Sequence, residues 1–176
     1  APRVLIVDDH PLFRDALETA LECAFPTGAK AAHASSLSGA LEILKSNRMD
    51  LILLDLNLGD CAEFEGLTTL LAANPGCPIV VVSATETPKA FEMAGALGAA
   101  GYLPKSMSLD DLSAALATTL SASTRSVFRF VFIDIFCASQ TLLVDAFLPA
   151  DPAEREQLKK DRPEEYRACT EPLDAV

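Results

Sequence analysis

Leu51-Ile52-Leu53-Leu54-Asp55 sets four consecutive apolar residues against a carboxylate. A run this short and this continuous predicts a strand buried on both faces, leaving the core at Asp55. The same pattern occurs on either side. Arg3-Val4-Leu5-Ile6-Val7 runs into Asp8-Asp9, and Ile79-Val80-Val81-Val82 runs into Ser83. A weaker strand is expected at 30–34, and another at 101–103, shortly before Lys105.

The segments between these strands carry helical periodicity. Pro11 suits a first helical turn, with His10 or Asp9 near the cap. Leu12, Ala16, Ala20 and Cys23, flanked by Leu17, Leu21 and Ala24, form an apolar stripe that Pro26 and Gly28 end. Ser35-Ser36 can cap a helix at 37–47, which shows Leu37, Leu41 and Leu44 on one face. Further helices are expected at 65–73, 88–97 and 108–121. Five strands alternating with helices, too far apart for hairpins, predict an α/β fold: a doubly wound, five-stranded parallel sheet. Such sheets bind ligands beyond the carboxyl ends of their strands.

Composition narrows the function. Half of the 176 residues are hydrophobic, enough for a packed core, and the formal net charge of −11 opposes contact with nucleic-acid phosphates. Five cysteines without a paired CxxC spacing read as reduced thiols and a cytoplasmic setting. No secretory signal is read at the start, because Asp8-Asp9 interrupts the first apolar run. Arg125, Arg129, Asp134 and Asp145 argue against a membrane span in the longest tail stretch lacking Gly and Pro.

Asp8, Asp9, Asp55, Ser83 and Lys105 all fall at predicted strand ends. Taken singly, each has a plainer reading: a turn-forming Asp, a loop hydroxyl, a solvated lysine. Together they make a site. Three gathered carboxylates raise one another's pKa or hold a cation, and an all-oxygen set suits Mg²⁺. Asp55 could then attack phosphorus, while Ser83 and Lys105 meet the phosphoryl oxygens. His10 and His33 are read as isolated, without a metal role.

Val4-Leu5-Ile6-Val7-Asp8-Asp9-His10-Pro11-Leu12-Phe13-Arg14 resembles the opening of response-regulator receiver domains, especially the NarL/LuxR-like branch. Asp50-Leu51-Ile52-Leu53-Leu54-Asp55-Leu56-Asn57-Leu58 resembles their phosphorylation strand. Val80-Val81-Val82-Ser83-Ala84 and Gly98-Ala99-Ala100-Gly101-Tyr102-Leu103-Pro104-Lys105 resemble two later motifs. The resemblance covers about residues 2–122. It implies a flavodoxin-like receiver fold, phosphorylation of Asp55, and Mg²⁺ held by Asp9, by Asp8 directly or through water, and by the Asn57 carbonyl. It further implies Ser83 and Tyr102 as switch residues, Lys105 on the phosphoryl group, and a histidine kinase or phosphotransfer protein as donor.

Two departures stand out. Gly59 occupies a position where such domains usually carry Pro, and Asp60-Cys61-Ala62-Glu63-Phe64-Glu65 lengthens the acidic loop before Gly66. Ser106 follows the lysine where many receivers have Pro. A haloacid-dehalogenase-like phosphatase would also use a nucleophilic Asp with Mg²⁺, but resembles Asp-x-Asp, and here the second position is Asn57. A receiver that only binds partners is disfavoured by the complete residue set.

Three regions are expected: a receiver domain at 1–122, an apolar and helical extension at 123–150, and a charged, Pro-containing tail at 151–176. No recognition-helix pattern is legible after Thr124, so no direct DNA binding by this chain is expected. Residues 127–136 read first as a strand by β-branched and aromatic content, but the length without Gly or Pro favours a helix over about 126–147, with Phe128, Phe132, Ile135, Phe136, Ser139, Leu142, Leu143 and Ala146 in one stripe. Such a face needs a cover, either the receiver's own surface or a second copy, and a homodimer contact is the favoured expectation. A short helix is expected at 153–161.

Overall fold

The computed structural model describes residues 1–121, together with 156, 157 and 160, which are helical. The expected 126–147 helix and its dimer contact therefore lie outside the described residues. Five strands and five helices alternate strictly: β1 Arg3–Val7, α1 Pro11–Ala24, β2 Lys30–Ala34, α2 Leu37–Ser46, β3 Leu51–Leu54, α3 Glu65–Ala73, β4 Ile79–Ser83, α4 Pro88–Leu97, β5 Gly101–Pro104 and α5 Leu109–Ser121. All strands are parallel, in the order β2-β1-β3-β4-β5. The expected doubly wound sheet is thus observed, and this is the flavodoxin-like order.

Burial explains why the five strands differed in legibility. β3 and β4 are buried at every position, and β1 everywhere but Arg3. Helices cover both faces of these central strands: α1 packs with α5, and α2 with α3 and α3 with α4. A strand covered twice must be apolar throughout. β2 lies at the sheet edge with only Ala34 buried, so Lys30 and His33 cost it little.

Helix ends follow local chemistry. Ser36 accepts a hydrogen bond from the Gly39 amide, and Thr87 accepts one from Ala90, so both act as caps. Ser108 accepts from the Asp111 amide and donates to its carboxylate at 2.7 Å, which starts α5 at Leu109. α4 ends at Gly98, whose φ of 106° is open to glycine at little cost. On α1 the buried stripe is Leu17, Ala20 and Leu21. Leu12 and Cys23, expected within that stripe, are exposed, Leu12 by 85%.

The lengthened loop has a structural anchor. Asp60 accepts hydrogen bonds from the Leu37 and Ser38 amides at 2.9 and 3.1 Å, and from the Ser38 hydroxyl. It thereby caps α2 from outside that helix, where the helix dipole favours negative charge. Glu65 turns back to the Ala62 amide at 3.0 Å. The Leu37 and Ser38 amides hold the Asp60 carboxyl below its usual range. A depressed folded pKa contributes stability above the unfolded value of 3.8 and loses it as pH falls through the folded one. Asp60→Ala is therefore expected to lower Tm at neutral pH, and the gap to the parent should close below pH 3.8 in thermal melts.

Candidate functional site

The chain runs outward from β1 to β2, then crosses back to β3, so the winding reverses between β1 and β3. That switch point opens a crevice at the carboxyl edge of the sheet. The register pairs Val7 with Leu54, and the Asp55 amide donates to the Val7 carbonyl at 2.9 Å. The next residues on each strand, Asp8 and Asp55, consequently emerge side by side. They are only 1% and 2% exposed, whereas Asp9 is exposed.

β5 delivers the balancing charge. Ser83 pairs with Pro104, and the Lys105 amide donates to the Ser83 carbonyl at 2.9 Å, which aims Lys105 inward. Its Nζ lies 2.7 Å from Asp8 Oδ2 and 2.8 Å from Asp55 Oδ2. The ammonium also sits 4.6 Å from the centre of the Phe13 ring, a cation–π contact from α1. Asp55 Oδ1 accepts from the Asn57 amide at 3.1 Å. Arg14 fixes the other side, donating to the Asp8 carbonyl at 2.6 Å.

Sequence reasoning missed His10. It is not isolated: its Nδ1 lies 3.1 Å from Asp8 Oδ1, 2.8 Å from Asp9 Oδ1 and 3.7 Å from Asp55 Oδ2. It precedes α1 without a side-chain capping bond, its ring being turned to the carboxylates instead. Its place directly after Asp8-Asp9 was the available signal. His33 also has a partner, Glu18 Oε2 at 3.1 Å.

The carboxylates suit a divalent cation. When ionised, Asp8, Asp9 and Asp55 carry three negative charges against one on Lys105, leaving two to be balanced. Asp8 Oδ2 is buried, and the Lys105 ammonium 2.7 Å away balances its charge only in part, being shared with Asp55. Asp8, Asp9, His10 and Asp55 each offer one ligand atom, all within 4.8 Å of one another. His10, Leu12, Phe13, Asp55, Asn57, Ala84 and Lys105 line a cleft of ≈310 Å³ over them.

Ser83 and Tyr102 sit one layer behind. Ser83 is fully buried, and its hydroxyl accepts from the Thr85 amide at 3.1 Å. Tyr102 donates to the Thr85 carbonyl at 2.6 Å and meets Phe91 edge-on at 4.3 Å. Burial holds the Tyr102 phenol above its usual pKa, with Glu63, Asp55 and Glu86 adding to the effect of burial and Ser83 opposing it. The phenol therefore stays a neutral donor at pH 7. Ser106, at the departing position after Lys105, donates to the Glu86 carboxylate.

An open, doubly wound α/β sheet thus gathers paired carboxylates and a lysine at its switch point. The comparisons narrow this further. The family described as "Response regulator receiver domain" matches residues 4–117, and the chain belongs to that family. It is 34% identical over 122 residues to a glycerol metabolism activator of Pseudomonas putida, covering 69% of this chain and 55% of that protein. It is 34% identical to the nitrate/nitrite response regulator NarL of Escherichia coli K12, covering 64% and 52%. A LuxR family DNA-binding response regulator from Silicibacter pomeroyi superposes with a TM-score of 0.60 at 34% identity, covering 69% of this chain and 93% of that one. The chain spans about half the length of the curated relatives it matches. Membership of this family sets aside the dehalogenase-like phosphatase. Among the described residues, no helix is long and apolar enough to cross a membrane.

Proposed function

We propose that this chain is a phosphorylation-controlled switch in which Asp55 accepts a phosphoryl group from a phosphohistidine on a kinase or phosphotransfer protein. The observation that carries the reading is the Lys105 ammonium seated between Asp8 and Asp55 at 2.7 and 2.8 Å. In the transfer, an Asp55 carboxylate oxygen forms a bond to phosphorus as the phosphorus–nitrogen bond breaks. The donor imidazole keeps the electron pair and takes up a proton. Asp8, Asp9, Asp55 and the Asn57 carbonyl would hold Mg²⁺, which offsets the charge gathered by nucleophile and phosphoryl group. Lys105 neutralises a phosphoryl oxygen from the other side. The chain acts on itself, by acceptance and slow hydrolysis, and not as a turnover enzyme.

The same geometry suggests how the signal leaves the site. Thr85 is held at both backbone ends, its amide by Ser83 and its carbonyl by Tyr102. A phosphoryl oxygen that recruits the Ser83 hydroxyl as donor alters the partners around Thr85 and biases the β4–α4 loop. Output then passes by protein contact, consistent with the net charge of −11. Mass spectrometry after incubation with Mg²⁺ and acetyl phosphate should show one phosphoryl adduct at Asp55. Beryllofluoride with Mg²⁺ should shift amide resonances near Asp55, Thr85 and Lys105. An unmodified chain whose spectrum does not move would overturn the reading.

A further inference from the structure

We propose that Phe13 is a positioning residue for phosphoryl acceptance, its ring face holding the Lys105 ammonium in the cleft once Asp55 has given up its negative charge. This rests on the reading of Asp55 as the phosphoacceptor, and it gives a task to an apolar side chain of the cleft wall.

The first turn of α1 sets the contact. The Phe13 and Arg14 amides both donate to the His10 carbonyl at 3.1 Å, and the Arg14 guanidinium donates to the Asp8 carbonyl at 2.6 Å. The turn that carries Phe13 is thereby tied to the end of β1. Lys105 Nζ lies 4.6 Å from the ring centre, inside the range of about 6 Å over which a ring face attracts a cation. Phe13 and Lys105 line the same cleft as Asp55, and the lysine side chain is only 14% exposed.

Charge explains why a ring serves here. At rest the ammonium is shared by Asp8 Oδ2 and Asp55 Oδ2 at 2.7 and 2.8 Å. A further carboxylate in place of the ring would add to a surplus of negative charge and repel the incoming phosphoryl group. A ring face is neutral, and its attraction does not depend on the aim of any one N–H bond. It also screens one side of the ammonium from water, which strengthens the pull on a phosphoryl oxygen. When Asp55 bonds to phosphorus, its carboxylate ceases to be an anion and half of the resting pair is lost. The ammonium then shifts toward a phosphoryl oxygen, with Phe13 as the neutral wall beside it. The ring thus contributes more to the transfer than to the resting state, which is the condition for an effect on rate.

The test replaces Phe13 in the full chain by mono-, di- and trifluorophenylalanine, which draw charge from the ring face and nearly keep its shape. Adduct formation with Mg²⁺ and acetyl phosphate is timed by mass spectrometry, and urea midpoints are measured alongside. The rate should fall with each fluorine, by about three- to tenfold across the series, while the midpoint stays near that of the parent. Phe13→Leu should lose as much, and Phe13→Trp should keep the parent rate. The Lys105 Cε protons should show an upfield ring-current shift that Phe13→Leu removes. A rate that is flat across the series, or that follows the urea midpoint, overturns the proposal and leaves Asp55 standing as acceptor. So does a Lys105 resonance that Phe13→Leu fails to move. A parent that forms no adduct overturns the reading of Asp55, and the role of Phe13 with it.

Discussion

Asp55→Asn is expected to remove phosphoryl acceptance altogether, so that the protein treated with Mg²⁺ and acetyl phosphate keeps its unmodified mass. An amide lacks the charged oxygen that attacks phosphorus, and among the other described residues Asp8 alone combines burial, a neighbouring carboxylate and a lysine contact. Asp8 shares the lysine, but sits where the cation would be held. The fold should survive, because the substitution is isosteric and relieves repulsion between two buried carboxylates. A urea midpoint equal to or above that of the parent checks this. Retention of the adduct in Asp55→Asn would move the nucleophile elsewhere.

Lys105→Ala should produce the largest loss of stability among the site variants. Its side chain is 14% exposed and is shared by two carboxylates whose side chains are 1% exposed. Removing one partner of a buried ion pair typically costs about 3 kcal/mol, since the remaining charge is left without compensation. Two features identify the cause. A divalent cation should recover much of the loss, because binding only to the folded state contributes about 2.7 kcal/mol at one hundred times Kd. Asp8→Asn in the Lys105→Ala background should also recover stability, a coupling that a double-mutant cycle in urea would measure. A variant as stable as the parent, with no response to Mg²⁺, would contradict the charge balance derived for the site.

Much of this was legible before any coordinates, for reasons that differ by element. β1, β3 and β4 are covered on both faces, so their sequences are apolar without interruption and end where the chain meets the cleft. β2 was faint because an edge strand tolerates Lys30 and His33. Leu12 misled, since periodicity places a residue on a helix face but does not show whether a neighbour covers it. The loop from Gly59 to Gly66 read only as an acidic lengthening. That Asp60 serves the start of α2, 22 and 23 residues away in sequence, required the chain to be folded.

Asp55 and its companions divide along the same line. The sequence by itself determined the α/β alternation and the residues at strand ends, because burial forces apolar runs and polar residues mark their exits. Tertiary structure alone decided which of those residues meet. Parallel register sets Asp8 beside Asp55, β5 carries Lys105 to both, and the turn into α1 swings His10 onto the carboxylates. Contacts between residues 50 apart depend on strand order and register, which local composition does not encode. Asp55 and the strand-end residues around it could be picked out from the sequence; the distances between them, and the place of His10 among them, could not.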